Sequence, residues 1–187
     1  MTAPIALPVI QMHLTMDTVP PVAQRGKHVL ILLRNVQKKF ILGTKKHYPE
    51  GISRLVGGGM EGDEDPLLAA QRELEEETHY KAPLEDLKPL AEVQTTFTPT
   101  ANSKEEKPIL FVTYLFFLDI GDQSLKASDD LDGLAELPES EYLQLIANFY
   151  QLSKEQRPGQ SFRWYDYGQL YGRIHQLAFD RLKALNL

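Results

Sequence analysis

The segment from Gly57 to Tyr80, GGGMEGDEDPLLAAQRELEEETHY, constrains this chain more strongly than any other stretch. It begins with three glycines, at which the backbone can turn sharply and approach a ligand closely. An acidic loop follows. Asp65 and Pro66 then form a helix start signal, because the carboxylate caps the first N–H groups and proline at this position needs no hydrogen-bond acceptor. The composition from Pro66 to about Thr78 predicts a helix.

Three glutamates of this predicted helix fall on one arc of its surface. Glu73, Glu76 and Glu77 have the spacing i, i+3, i+4, at which like charges repel. A divalent hard cation would compensate for this repulsion, because Mg²⁺ prefers carboxylate oxygens together with water and phosphate. Arg72 lies one turn before Glu76 and can orient a carboxylate. A glutamate run alone is usually a solvated helix face, but its link to a glycine loop favours a metal site.

The segment resembles the Nudix box, G-x5-E-x7-R-E-U-x-E-E-x-G-U, in which U is a bulky aliphatic residue. Gly58 matches the first glycine, Glu64 the first glutamate, and Leu74 the aliphatic position. Arg72 with Glu73, and Glu76 with Glu77, match the two charged pairs. Two departures occur at the end, where His79 replaces the last glycine and Tyr80 the aliphatic residue. Because both lie beyond the glutamates, we expect them to alter the helix exit more than the chemistry.

The resemblance implies a metal site with named ligands. Glu76 and Glu77 would bind Mg²⁺, or possibly Mn²⁺, together with the backbone carbonyl of Gly57, and Glu64 would act directly or through water. Glu73 would be a ligand or the general base, and Arg72 would orient the carboxylates. In some Nudix subfamilies the base comes from a later loop. In this sequence the stretch ELPESE offers three candidates, which the sequence does not distinguish: Glu136, Glu139 and Glu141.

The function implied by the resemblance is hydrolysis of the pyrophosphate bond of a nucleoside diphosphate linked to another moiety, with ADP-ribose and nucleotide sugars favoured. A non-catalytic nucleotide-binding regulatory module is the alternative, although such modules usually lose box glutamates. An isopentenyl diphosphate isomerase would use a cysteine, and the chain has none. An RNA-directed enzyme would need a basic surface, which a net charge of −6 disfavours.

Several residues outside the helix are candidate substrate contacts. Arg54 could meet phosphates, Gly58 and Gly59 could admit a ligand to the backbone, and Phe97 could stack a base. The aromatic cluster near the C-terminus could also stack a base, but part of it continues at helical spacing, which favours core or dimer packing by roughly two to one. This cluster consists of Phe162, Trp164, Tyr165, Tyr167 and Tyr171.

The order of predicted elements indicates a mixed α/β protein, and the resemblance implies an α/β/α sandwich with a mixed sheet and the box helix on one face. We expect one Nudix hydrolase domain over residues 1–187, with residues 1–26 as a peripheral strand or arm. We also expect a cytoplasmic protein that binds neither nucleic acid nor membrane and possibly forms a homodimer. The predicted strands are Ile5–Met16, His28–Arg34, Phe40–Lys45, Ser53–Val56, Leu87–Thr98 and Ile109–Asp119; the further predicted helices are Glu139–Tyr150 and Trp164–Leu185.

Overall fold

The computed structural model of the protein describes residues 7–128, 130–156 and 159–187. Its strands are β1 (Val9–Met16), β2 (Lys27–Asn35), β3 (Phe40–Thr44), β4 (Lys88–Pro99), β5 (Ile109–Gly121) and β6 (Gly133–Leu137). Its α-helices are α1 (Pro66–Thr78), α2 (Glu139–Tyr150) and α3 (Trp164–Ala184), and short 3₁₀ turns span Pro21–Arg25 and Leu84–Asp86.

The strands in the described part of the chain form one mixed sheet in the order β1-β4-β5-β2-β3-β6. Strand β1 is parallel to β4 and β2 is parallel to β5, whereas the other neighbouring pairs are antiparallel. Strand β2 therefore lies inside the sheet with both faces covered. This position explains why its sequence, HVLILLR, is a continuous apolar run and does not alternate with polar residues.

Each face of the sheet carries its own hydrophobic core. Val29, Ile31 and Leu33 of β2 pack with Ala70 and Leu74 of α1. The alternate residues Leu30 and Leu32 belong to the larger core, which the aromatic and aliphatic residues of α2 and α3 complete. The predicted α/β/α sandwich, with the box helix on one face, is confirmed.

The predicted helices match the structure closely, and the strands match less well. Helices α1 and α2 have the predicted bounds, and α3 ends one residue early. Of the predicted strand Ile5–Met16, the first two residues lie outside the described part of the chain. The predicted strand Ser53–Val56 contributes only isolated bridges to β2 and β3. Strand β6 was missed because it is a short edge strand held by its pairing with β3. The extent of the domain, residues 1–187, stays a prediction.

The exit of α1 keeps a glycine-like geometry despite the departure from the box. His79 has a φ of 56°, in the left-handed region, and its N–H donates to the Glu75 carbonyl. Glycine commonly ends helices in this conformation. The expectation that His79 would alter the helix exit is therefore wrong, and the substitution instead costs some backbone strain.

No helix among the described residues combines the length and the apolarity that crossing a lipid bilayer requires.

Candidate active site

The glycine loop runs beside the first half of β2. The Val29 N–H donates to the Gly58 carbonyl (2.9 Å) and the Ile31 N–H to the Val56 carbonyl (2.8 Å). Gly57 has a φ of 131°, and a Cβ at this position would collide with the Val29 carbonyl oxygen. A Cβ on Gly58 would overlap the carboxylate of Glu73. The glycines therefore allow the backbone to lie directly against both the sheet and the carboxylates of α1.

Helix α1 begins where the sequence predicts. The Asp65 side chain accepts hydrogen bonds from the N–H groups of Leu67 (2.9 Å) and Leu68 (3.3 Å). Ala70 and Leu74 then face the sheet and are fully buried. This packing fixes the rotation of the helix, so that Glu73 and Glu77 are directed towards the glycine loop.

The guanidinium of Arg72 lies between three carboxylates. Its Nε and Nη2 atoms each lie 3.0 Å from an oxygen of Glu64, and its Nη1 atom lies 2.9 Å from Glu73 and 3.0 Å from Glu76. Nη2 also donates to the Gly59 carbonyl (3.0 Å). These hydrogen bonds lower the pKa of Glu64. Arg72 thus joins the acidic loop, the helix and the glycine loop, which is the position expected of a residue that orients carboxylates.

The three glutamates on the arc differ in their surroundings. Glu76 is the most accessible, with 52% of its side chain exposed. Glu73 and Glu77 are buried, and burial raises the pKa of both carboxyl groups. Glu77 accepts a hydrogen bond from the Gly57 N–H (2.8 Å). Two carboxylates are therefore held in a region that disfavours negative charge, which is a common feature of functional sites.

The donor atoms gathered around the loop suit a hard divalent cation. Glu64, Glu73, Glu76 and Glu77 supply only oxygens, which Mg²⁺ and Mn²⁺ both accept. Among the described residues, no group of three or more histidine, aspartate or glutamate side chains is already arranged as a metal site. Arg72 instead provides the positive charge for three of the carboxylates. The residues fit a cation by their chemistry, and binding would require side chains to turn away from Arg72.

A second arginine lies on the opposite side of the loop. Arg54 donates from Nη2 to the Gly57 carbonyl (3.1 Å) and from Nη1 to the Tyr171 hydroxyl (3.3 Å). It also lines a cavity that contains Trp164 and Tyr167. Of the predicted substrate contacts, Arg54, Gly58 and Gly59 are therefore together, although the Gly57 carbonyl that was expected to bind metal accepts a hydrogen bond from Arg54.

Phe97 is not a substrate contact. Its side chain is 0% exposed and packs against Phe111, with ring centroids 6.2 Å apart. Strand β4 points Val93, Thr95 and Phe97 into the core by simple alternation. A ligand cannot reach the ring without opening the core, so the suggestion that it stacks a base is wrong.

The later glutamates have contacts that do not involve the glycine loop. Glu136, in β6, accepts a hydrogen bond from Asn35 at the far end of β2 (3.2 Å). Glu139 pairs with Lys183 near the end of α3 (2.7 Å), and Glu141 lies in the same first turn of α2. The start of α3, which lines the cavity, is roughly 28 Å from Lys183 at 1.5 Å per residue. The contacts of these three glutamates do not favour them over Glu73 as candidates for the base, and that alternative stays a hypothesis.

Sequence reasoning missed two of the charged residues that lie around Glu77, namely Lys45 and Asp130. Besides burial, which raises the pKa of Glu77, the charges of Arg54 and Lys45 lower it and that of Asp130 raises it. Asp130 precedes β6 in the sequence, in the acidic run ASDDLDG. The Ser128 N–H donates to the Glu77 carbonyl (3.0 Å) and the Asp132 N–H to the Thr44 carbonyl (2.9 Å), so this part of the chain lies beside the end of α1 before it pairs with β3. The acidic run was a visible signal, but its position depends on the unpredicted strand β6.

Comparison with known proteins identifies related sequences and folds. A family model described as "NUDIX domain" matches residues 24–165. None of the curated proteins matches the sequence significantly. The fold is similar to the NUDIX domain of Shewanella oneidensis NrtR complexed with ADP ribose (18% identity, TM-score 0.50, covering 83% of this chain and 87% of that one). It is also similar to a MutT/nudix family protein from Enterococcus faecalis (19% identity, TM-score 0.53, covering 89% and 65%). A third similar structure is a C. elegans Ap4A hydrolase (15% identity, TM-score 0.50, covering 84% and 98%).

Proposed function

The chain belongs to the Nudix family and to its class of pyrophosphohydrolases, and we propose that it is a Mg²⁺-dependent hydrolase of nucleoside diphosphates linked to another moiety. ADP-ribose and nucleotide sugars are the favoured substrates. The observation that carries this proposal is the position of the charged box residues, all of which are present and lie against the glycine loop. Glu64, Glu73 and Glu76 share Arg72, and Glu77 accepts a hydrogen bond from Gly57.

The family generally uses a divalent metal ion, and in this chain we assign Mg²⁺, with Mn²⁺ as a substitute. Glu76, Glu77 and the Gly57 carbonyl would hold it, with Glu64 directly or through water and with Glu73 either as a further ligand or as the general base. When bound, such an ion neutralises phosphate charge, aligns the substrate and lowers the pKa of a coordinated water.

Glu73 is the best-placed general base among the box residues. Attack of water on phosphorus forms one P–O bond and breaks the bond to the leaving phosphate, and the water must lose a proton. Burial raises the pKa of Glu73, which makes its carboxylate a better proton acceptor near neutral pH. Arg72 holds one Glu73 oxygen by a hydrogen bond of 2.9 Å and so fixes the direction of the carboxylate.

The proposal also covers the setting in which the enzyme works. We propose a cytoplasmic protein that forms a homodimer and whose partner is a small nucleotide, without nucleic acid or membrane. The alternative is a nucleotide-binding regulatory module that has the fold but no turnover. The presence of every charged residue of the box favours the enzyme. A module without catalysis would have no need to keep glutamates whose ionised forms are disfavoured by burial.

The experiment is a product-release assay with Mg²⁺ or Mn²⁺ on ADP-ribose, nucleotide sugars, dinucleoside polyphosphates and NADH. Glu76→Gln should abolish turnover and leave the fold intact. Glu75→Gln is the matched control, because Glu75 is on the same helix but pairs with Lys81 at 3.0 Å. Turnover retained by Glu76→Gln would contradict the assignment. If no compound is hydrolysed although the protein binds metal, the result would favour the regulatory module.

A further inference from the structure

A cavity of about 290 Å³ lies on the side of the glycine loop opposite α1. Three separate segments form its walls: residues 20–25, residues 45–54 and residues 160–167. The first contains the 3₁₀ turn before β2, the second follows β3, and the third leads into α3. The box contributes none of the lining residues, so nothing in the Nudix motif accounts for this cavity.

Two arginines connect the cavity with the glycine loop. Arg54 lines the cavity and donates to the Gly57 carbonyl at 3.1 Å. Arg25 also lines it, and its Cδ and Nη1 atoms lie 3.3 Å from the point where a Cβ of Gly59 would be. A ligand that occupies the cavity and extends past these arginines therefore reaches the loop against which the box carboxylates lie.

The lining is positively charged in a chain that is negatively charged overall. Arg25, Lys45 and Arg54 line the cavity, and its described lining residues include no aspartate or glutamate, whereas the whole chain has a net charge of −6. The hydrogen bonds of Arg54 go to a carbonyl and a phenol. A guanidinium in such surroundings is suited to an anion, and phosphate matches its fork of donors.

Aromatic rings form the other part of the lining. Trp164 packs edge-on against Phe162 (5.1 Å between ring centroids), Tyr167 (5.0 Å) and Tyr48 (6.3 Å), and all four residues line the cavity. Aromatic side chains of this kind stack on the bases of nucleic acids and nucleotides. The cavity therefore offers flat apolar surfaces beside its cations.

Polar atoms of the lining residues have no hydrogen-bond partner among the described residues. These buried atoms are the Trp164 Nε1 donor and the Gln160 Oε1 acceptor. The Trp164 side chain is more than nine-tenths buried. Because buried polar side-chain atoms in folded proteins nearly always have a partner, two such atoms around one cavity point to a ligand that supplies the missing donor and acceptor.

We infer that this cavity binds the planar nitrogenous ring of the nucleotide substrate, with the attached phosphates against Arg25, Lys45 and Arg54. This inference rests on the proposed function, and it specifies which half of the substrate the enzyme recognises. Ligand cavities commonly measure roughly 300–1,000 Å³, so this one suits a single nucleoside and not a whole dinucleotide. The group on the other side of the pyrophosphate lies outside the cavity, and the enzyme selects the base more strictly than that group.

The test uses Trp164, which is the only tryptophan of the chain. The full-length protein in EDTA is titrated with AMP, GMP, CMP and UMP, and with ribose 5-phosphate as the probe that lacks a ring, while tryptophan emission is recorded. We expect saturable quenching by at least one mononucleotide and none by ribose 5-phosphate at the same concentrations. Absence of quenching by every mononucleotide, or equal binding of ribose 5-phosphate, would overturn the inference.

A matched pair of variants tests the hydroxyl of Tyr167, which lines the cavity. Tyr167→Phe keeps the ring and the fluorescent reporter, and loss of one hydrogen bond should raise the Kd of the preferred mononucleotide about fivefold. Tyr165→Phe is the control, because Tyr165 is on the same helix but packs beside Lys154 and Arg163 outside the cavity. An unchanged Kd in Tyr167→Phe would contradict a role for this hydroxyl in recognition.

The same titration separates failure of the inference from failure of the proposed function. Mononucleotide binding without turnover on any substrate would sustain the cavity assignment and contradict the hydrolase. Turnover without quenching of tryptophan emission by any mononucleotide would support the hydrolase and overturn the cavity assignment.

Discussion

Two arginines on opposite sides of the glycine loop are in contrasting surroundings. Each donates to a glycine carbonyl, Arg72 to Gly59 and Arg54 to Gly57. Arg72 forms ion pairs with three glutamates, whereas the other hydrogen bond of Arg54 goes to the Tyr171 hydroxyl. On the α1 side one guanidinium faces three carboxylates, so that side keeps excess negative charge, whereas the cavity on the α3 side is lined by cations and by no described carboxylate. The loop therefore lies between a region suited to holding cations and one suited to holding anions.

The α1 side and the α3 side of the loop also differ in which buried groups lower the stability of the fold. On the α1 side, burial of Glu73 and Glu77 raises their pKa values, so negative charge at neutral pH is costly. On the α3 side, uncharged polar atoms are buried without partners. Native proteins commonly accept such costs at functional sites. The contrast predicts that the two sides respond differently to mutation and to pH.

The largest effect is expected from Arg72→Ala. This change leaves the buried Glu73 without its ion-pair partner, and breaking a buried pair on one side typically costs roughly 3 kcal/mol or more of the free energy of unfolding. Urea denaturation at pH 7 measures it. Arg72→Lys should lose less, because it keeps the charge but not the fork that binds Glu64 through two atoms. Equal losses in the two variants would mean that shape and not charge stabilises this side.

A smaller effect, which depends on pH, is expected on the α3 side. His175 is fully buried between Tyr142 and Phe149, and burial lowers its pKa to about 3. The unfolded chain protonates this histidine near pH 6.5, so stability falls as the pH drops from about 6.5 towards about 3, by about 1.4 kcal/mol per pH unit.

The variant His175→Leu isolates this contribution. At pH 5 the wild type should have lost about 2 kcal/mol through this group relative to pH 7, and the variant should not lose it. The measurement is the free energy of unfolding in urea at several pH values. Parallel pH profiles for the wild type and the variant would show that His175 does not resist protonation in the folded state.

Glu77→Gln should have the opposite sign, with the smallest magnitude. Because burial raises the pKa of Glu77, the folded state disfavours its ionised form above the unfolded pKa, and lowering the pH relieves this cost. Glutamine keeps an acceptor for the Gly57 N–H, so we expect a gain in stability at pH 7. Thermal unfolding should show a higher Tm together with lost turnover. A lower Tm would mean that Arg54 and Lys45 already stabilise the carboxylate.

The part of the site that the sequence predicts is the local part. Asp65, Arg72 and the glutamates of α1 lie within a few helical turns, so capping and angular spacing place them. Arg72 reaches Glu64 because the two are only eight residues apart. The alternation of residues in β4 also predicts that Phe97 lies in the core, on the same face as Val93 and Thr95.

The cavity could not be predicted in the same way. Its walls come from segments that are more than a hundred residues apart and meet only through the sheet. In the sequence, Tyr167 begins a run of residues at helical spacing and Trp164 belongs to the aromatic cluster before it, and both residues lie in the core as well as in the lining of the cavity. The unpartnered Nε1 atom of Trp164 is visible only in three dimensions. The edge strand β6 was missed for a related reason, since pairing with β3 stabilises it more than its own composition does.

The most direct test of this division between chemistry and recognition is steady-state kinetics of two variants on the preferred substrate with Mg²⁺. Glu76→Gln should lower kcat at least about 100-fold with little change in KM, as expected when charge stabilisation of the transition state is lost. Trp164→Phe, which removes one donor from the cavity, should raise KM about fivefold and leave kcat within about twofold. A fall in kcat in Trp164→Phe, or a rise in KM alone in Glu76→Gln, would contradict the account.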